Sequence, residues 1–476
     1  MSRLSLVSDG KNRYRLPRQG EMLVDCRVYL RPALKEIFAE ETALQQLVDA
    51  ACLPGVVPDV VGMPDLHAGY GLPIGGVMAT RAADGVVSAG AVGMDINCGV
   101  RLLAAALPAA RLDKKTLRNL MLAIEERVPT GIGKKSRHRE LGPSQVETIL
   151  HKGVRALVSW GYGDHSELEK IEEEGSFPGA DASALTPEAW RRLDQVGTLG
   201  GGNHFIEIGQ VAEVYEPEIA ESFNLHEGCL TVMIHTGSRG FGHQICTDYS
   251  KKMLAAAPRY GIKLPSKGLA AVPIRSPEGE AYLKAMACAV NLAFANRHLI
   301  AHDVRRAFAE VLGVLEDELQ LVYDVAHNIA KFEEHKGQKV LVHRKGATRA
   351  LPPGHPVNPL RYRDTGHPAI VPGSMGTSSY VLVGTKRGEE TFYSVNHGAG
   401  RILSRTAARK QITQEEFSRS MGEILYNARN YRALVDEAPL AYKDIDEVVE
   451  TLAEIGITRK VARLSPLGVI KGEGDE

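Results

Sequence analysis

The six cysteines (Cys26, Cys52, Cys98, Cys229, Cys246, Cys288) are scattered and contain no CxxC pair. Free thiols in a reducing cytoplasm are therefore the expected state. No apolar run is long enough to span a bilayer, and no charged-then-apolar leader opens the sequence, so no membrane partner is expected. No GxGxxG or GxxxxGK[ST] occurs, and helical and strand-like stretches do not alternate regularly enough for a doubly wound sheet. No fixed-period repeat, long low-complexity tract or flexible linker interrupts the chain. The net charge of −1 argues against a histone-like basic binder but leaves room for a local basic patch.

What is present is an ordinary soluble composition, 44% hydrophobic and 24% charged over 476 residues. The 48 glycines exceed the usual ~7% of residues and cluster beside His, Asp and Asn, as in loops built around ligands. The pattern predicts an amphipathic helix over Glu36–Cys52, with Ile37, Phe38, Leu44, Leu47 and Val48 inward, then a strand–Gly loop–strand carrying Asp65 and His67. A helix is expected at Leu112–Val128, and a long one at Glu278–Leu312 that buries one side. Strand-like blocks end in TLGGGNHFIEIGQV, CLTVMIHTGSRGFG, LQLVYDVAHNIA and TFYSVNHGAGR, and the last sixty or so residues read as mainly helical.

The chain reads as organised around Val92–Leu103, VGMDINCGVRLL. Asp95 and Cys98 are its strong metal-ligand types, three apart where a strand meets a Gly turn, so both can face one cavity. An isolated DxxC is more often a buried Cys beside a turn-capping Asp. Here four histidines stand in matching surroundings: His204 in GGGNHFIEI, His235 in TVMIHTGSRG, His327 in LVYDVAHNIA and His397 in FYSVNHGAGR. Each lies near the end of an apolar β-like run, where a sheet can aim its imidazole at a common point. Imidazole, thiolate and carboxylate suit first-row divalent ions: softness favours zinc, a roomy site with Asp and a bridging Cys admits manganese, and the residues do not decide. The loops GGGN, GSRGFG, PGSMGTSS and HGAG expose backbone N–H groups that can nest a nucleotide phosphate. Metals plus nests suit phosphoryl or nucleotidyl transfer, and equally a dimetal phosphodiesterase or nucleotide hydrolase.

Ligands spread from residue 95 to residue 397 imply one interleaved α+β domain over residues 1–476. Two basic stretches, GIGKKSRHR at 131–139 and HRKGATR at 343–349 with Arg361 and Arg363, are candidate polyanion contacts or solvated loops. HLIAH, with His298 and His302, lacks the Glu of HExxH, so packing or surface roles are expected.

At these residues the chain resembles the RtcB family of RNA-splicing ligases. The resemblance rests on GMPDLHAGYGLPIGG (62–76), GMDINCGVR (93–101), GGGNHFIE (200–207), HTGSRGFG (235–242), HRKGATRA (343–350), PGSMGTSSYVL (372–382) and VNHGAGR (395–401), in order over nearly the whole chain. It implies an α+β fold with a deep metal-lined pocket and a basic RNA surface. It further implies a GTP- and Mn²⁺-dependent enzyme that joins RNA 2′,3′-cyclic phosphate or 3′-phosphate ends to 5′-hydroxyl ends, in tRNA halves or broken RNA. By the same resemblance, Asp95, Cys98 and His204 hold one of two manganese ions, and Cys98, His235 and His327 the other. His397 is the implied nucleophile. Implied guanylate contacts are Asn203, His204, Phe205, Ile206, Glu207, His327, Asn328, Val371, Pro372, Gly373, Ser374, Ser378, His397, Gly398, Ala399, Gly400, Tyr442 and Lys471. Five residues, Gly472–Glu476, follow Lys471 where the family typically stops. An archease-like activator is a further partner the resemblance leaves open.

Overall fold

The computed structural model describes residues 4–38, 41–428 and 431–474. Two large sheets dominate it. In the seven-stranded sheet, strand Val60–His67 pairs antiparallel with Ile74–Arg81, which pairs with Gln338–Lys345 and through it with Asn328–His335. In the eight-stranded sheet, four antiparallel neighbours run in the order Gln320–Ala326, Gly99–Pro108, Cys229–Thr236, Phe205–Val214. Antiparallel order brings alternate starts and ends to one edge. Gly99 pairs with both Ala326 and Thr236, and Phe205 pairs with His235. The segments bearing Cys98, His204, His235 and His327 thus leave four adjacent strands side by side. Two short strands, Ala347–Arg349 and Ser394–Asn396, pair beside them and deliver His397.

The long helix spans Pro277–Leu312, capped by Ser276, whose side chain accepts from Gly279 N, and ended by Gly313 at φ +67°. It is buried nearly all round, against the expectation of one buried side, because helices Lys114–Arg127, Pro143–Lys152 and Arg239–Ala256 enclose it. Its polar residues are turned inward as loop anchors: Asn296 Oδ1 accepts from the amides of Gly197 and Thr198, and its Nδ2 donates to Gly237 O.

Other expectations are corrected. The helix expected over 36–52 is observed only as Glu41–Ala51; a separate short helix, Pro32–Glu36, ends where it was to begin, Ile37 after it is 53% exposed, and residues 39 and 40 lie outside the described residues. GSRGFG is no loop but the opening of helix Arg239–Ala256, where Gly242 packs so closely on Ser238 Oγ that a Cβ would sit at 1.9 Å. The chain's end is not mainly helical: Thr458–Lys471 is a 14-residue strand lying between Phe205–Val214 and Ser379–Gly384, bulged near Pro466. Of the last five residues, Gly472–Gly474 lie against the Gly-rich loop, Gly202 N donating to Gly474 O at 2.8 Å; Asp475 and Glu476 lie outside the described residues. Among the described residues no helix is long and apolar enough to cross a membrane.

Candidate active site

Strand edges place five side chains around a common point. Cys98 Sγ lies 3.4 Å from His204 Nε2 and 3.4 Å from His235 Nε2. His204 Nε2 is 3.0 Å from Asp95 Oδ2, and the Nε2 atoms of His235 and His327 are 3.3 Å apart. Among the described residues these form two triads sharing the thiol, Asp95–Cys98–His204 and Cys98–His235–His327, with all ligand atoms of a triad within 4.8 Å of one another.

The surroundings suit a cation. Burial, reinforced by the neighbouring histidines, drives the imidazoles of His235 and His327 well below their ordinary range, so both are neutral donors. Burial pushes the Asp95 acid up, but the His204 hydrogen bond and the electrostatic influence of His204, His243 and Arg239 outweigh it and hold the carboxyl well below its usual range. Asp95 Oδ1 is fixed by Ser238, whose amide donates at 2.9 Å and hydroxyl at 3.1 Å. Two lone-pair nitrogens facing each other across a buried thiol are poorly satisfied by protons. The donor set (carboxylate, thiolate, three imidazoles) fits two first-row divalent ions.

His397 stands beside the triads, its ring 4.9 Å from that of His327 between centroids. The side-chain oxygen Oδ2 of buried Asp65 accepts from His397 Nδ1 at 2.7 Å, from His397 N at 3.0 Å and from Gly398 N at 3.3 Å. A carboxylate accepting at Nδ1 fixes the proton there and leaves the lone pair on Nε2. Close packing builds this contact: a Cβ at Gly400, φ +74°, would meet Asp65 O at 2.3 Å.

A cleft opens over His397. Its wall includes Asn203, Phe205, His235, Pro372, Gly373, Ser374, Gly398, Ala399, Gly400, Tyr442 and Lys471, all among the expected contacts or ligands. Others on that roll are not on the wall. Ile206 alternates to the far face of its strand and packs in the helical core, and Val371 packs in a separate apolar cluster. Asn328 ties Asp95 O and Gly346 N, and Ser378 lies by Arg463. Glu207 shares Phe205's face, two residues further along; burial alone pushes its acid up to about 8, and Oε2 has no partner among the described residues.

The family model described as tRNA-splicing ligase RtcB matches residues 46–472. The chain belongs to the RtcB family. It is 46% identical over 473 residues to a protein named tRNA-splicing ligase RtcB from Thermococcus kodakarensis, covering 97% of this chain and 98% of that one. A protein named RNA-splicing ligase RtcB from Mycobacterium tuberculosis is 46% identical over 439 residues, covering 90% of this chain and all (100%) of that one.

In this family member, sequence reasoning missed several cleft groups. Asp65 and His67 lie in a quoted motif without an assigned role, and Arg401 ends another. Glu437 carried no local signal, yet it organises the rim: Arg401, Arg405, Tyr442 and Lys471 all converge on its carboxylate. Burial pushes Glu437 up, but those cations outweigh it and keep it ionised; burial also lowers Lys471. The basic stretch 343–349 is not a surface channel. Arg344 forms a buried fork with Glu333, and Arg349 pairs with Glu172 and Glu173. His298 is a core residue, held by Arg101 and Tyr162 O.

Proposed function

We propose that this chain is a GTP-dependent RNA ligase joining 2′,3′-cyclic phosphate or 3′-phosphate ends to 5′-hydroxyl ends, with two Mn²⁺ ions as resident metals. The observation that carries the reading is His397, an imidazole fixed through Nδ1 on Asp65, at the floor of a cation-rimmed cleft and against a five-donor metal site. Bound at the two triads, the ions supply charge neutralisation at the α-phosphate. His397 Nε2 donates its electron pair to the α-phosphorus of GTP and pyrophosphate leaves, forming a phosphoramidate. Asp65 steadies the positive charge this puts on the ring. Lys471, Arg401 and Arg405 line the cleft as counter-charges, held in place by Glu437. The guanylate passes to the RNA 3′-phosphate, after hydrolysis of a cyclic end, and the 5′-hydroxyl then expels GMP. A phosphate monoester repels nucleophiles and lacks a leaving group; the anhydride supplies one. An RNA 3′-end and tRNA halves are accordingly the proposed partners, in the cytoplasm.

The test is joining of defined 3′-phosphate and 5′-hydroxyl RNAs, varying GTP against ATP and Mn²⁺ against Zn²⁺. GTP- and Mn²⁺-dependent joining supports the reading. Hydrolysis of GTP or RNA without joining rejects it in favour of a dimetal hydrolase.

Two predictions follow from particular groups. Asp65→Asn is expected to slow formation of the protein–GMP adduct by about 10²-fold or more, because the tautomer and orientation of His397 are lost, while metal uptake is unchanged. A single-turnover assay with labelled GTP measures both the rate and the adduct. Glu207 is the proposed acceptor for guanine N1 and N2 donors, and it accepts best when ionised. With its acid raised to about 8 in the empty protein, nucleotide affinity should climb as pH rises from 6 toward 8 and then level. Stability runs the other way: a raised acid favours the fold below the unfolded carboxyl range, and that contribution is lost as pH rises through about 8. Glu207→Gln should flatten both profiles in calorimetry.

A further inference from the structure

Arg297 lies on the long helix, away from the cleft, with its side chain wholly buried. Its guanidinium has four acceptors. Nη1 donates to Asn97 O and to Thr236 O, each at 2.8 Å; Nη2 donates to Asn97 Oδ1 at 3.3 Å; Nε donates to Asp324 Oδ1 at 2.8 Å. Each acceptor adjoins a metal-ligand candidate. Asn97 precedes Cys98, Thr236 follows His235, and Asp324 lies on the strand that runs directly into His327. Those three ligands make up one triad.

Asn97 needs such a hold. Its φ of 53° is a left-handed value uncommon outside glycine, and its side chain is pinned from the other side by Nδ2 donating to Val290 O at 2.8 Å. The next residue but one is shaped for the guanidinium. A Cβ on Gly99 would meet Val325 O at 2.2 Å and Arg297 Cζ at 3.0 Å. Asp324 in turn is braced by Arg101, whose Nε donates to Oδ2 at 2.8 Å. A planar fork puts Nη1 at the two carbonyls and Nε at the carboxylate at once; the single nitrogen of an ammonium cannot occupy both places.

We infer that Arg297 is a positioning residue for the Cys98–His235–His327 metal site, setting the spacing of all three ligands from behind. In the other triad only the shared Cys98 adjoins a bond from it, Asp95 and His204 receiving none, so the two triads differ in how far they depend on this one side chain. The inference rests on the two-ion reading above. Outer groups that orient ligands are worth about 10–100-fold in metal affinity.

The test uses the full chain, stripped with chelator and titrated with Mn²⁺ in a calorimeter and with Co²⁺ by absorption, where thiolate-to-cobalt charge transfer reports Cys98. Arg297→Lys keeps one cationic nitrogen, which can sit at the carbonyl pair or opposite Asp324 but not at both. It should weaken the His235–His327 ion at least tenfold and the Asp95–His204 ion, which shares only Cys98 with that site, several-fold less. Arg297→Gln, which leaves Asp324 paired with Arg101 but gives up the bonds on the strand leading to His327, should show the same asymmetry, and decides the matter if the lysine variant does not fold. Two affinities that stay at wild-type values, or that fall together by one common factor as a merely structural role would cause, overturn the inference. A wild-type chain that binds fewer than two ions overturns the two-ion reading instead.

Discussion

His397→Ala is expected to abolish RNA joining, by on the order of 10⁴-fold or more, while the protein still takes up both metal ions. The nucleophile is the one group in the scheme for which no neighbour can substitute. His327, the nearest imidazole, has its Nε2 turned to His235 and the thiol, and Asp65 reaches Nδ1 of His397 alone among the imidazoles around the metals. The change removes a ring from the cleft wall but no ligand from either triad, so metal uptake separates lost chemistry from lost folding. A quantitative assay is joining of a labelled RNA pair, run beside a Mn²⁺ titration of the same sample. RNA already carrying a 3′-guanylate anhydride should bypass the defect, since the proposed scheme uses His397 only before that stage.

Cys98→Ala should lose both ions together. The thiol belongs to both triads, whereas Asp95 and His204 belong to one and His235 and His327 to the other. Loss of a shared ligand is expected to cut the affinity of each ion on the order of 10²-fold or more and to take joining to background. His327→Ala should spare the Asp95 ion, and His204→Ala the His235 ion. The substitution is small, and the surrounding Gly99 strand is held by its backbone pairing to Ala326 and Thr236, so the fold is expected to survive. Metal analysis of the three variants after gel filtration gives the pattern: both ions gone in the first, one in each of the others.

The side chains of the two triads could be picked out as candidates because each imidazole stands where an apolar run stops and small residues begin, and such places are strand ends. That these ends share one edge could not be read. It follows from the antiparallel order of four strands drawn from residues 99 to 326, which no local pattern encodes. The strand Thr458–Lys471 was missed because Pro466, Gly468 and the charges of Arg459, Lys460 and Arg463 break its alternation; register shifts at two places absorb the misfit. The long helix looked two-faced because Asn291, Asn296, Arg297 and Asp303 resemble a wet side, yet each is buried. Arg344 and Arg349 looked like an RNA channel for a similar reason. Their carboxylates come from Glu333, Glu172 and Glu173, and in the case of the last two from far up the chain. Asp65 was visible in a motif, but its task depends on a partner 332 residues away.

The most direct test of the central claim is mass spectrometry of the intact protein after incubation with GTP and Mn²⁺, followed by peptide mapping. The account predicts one guanylate per chain, labile in acid and stable in base, on the peptide containing His397, and formed far more slowly in Asp65→Asn. No adduct, or an adduct on any other residue, contradicts it.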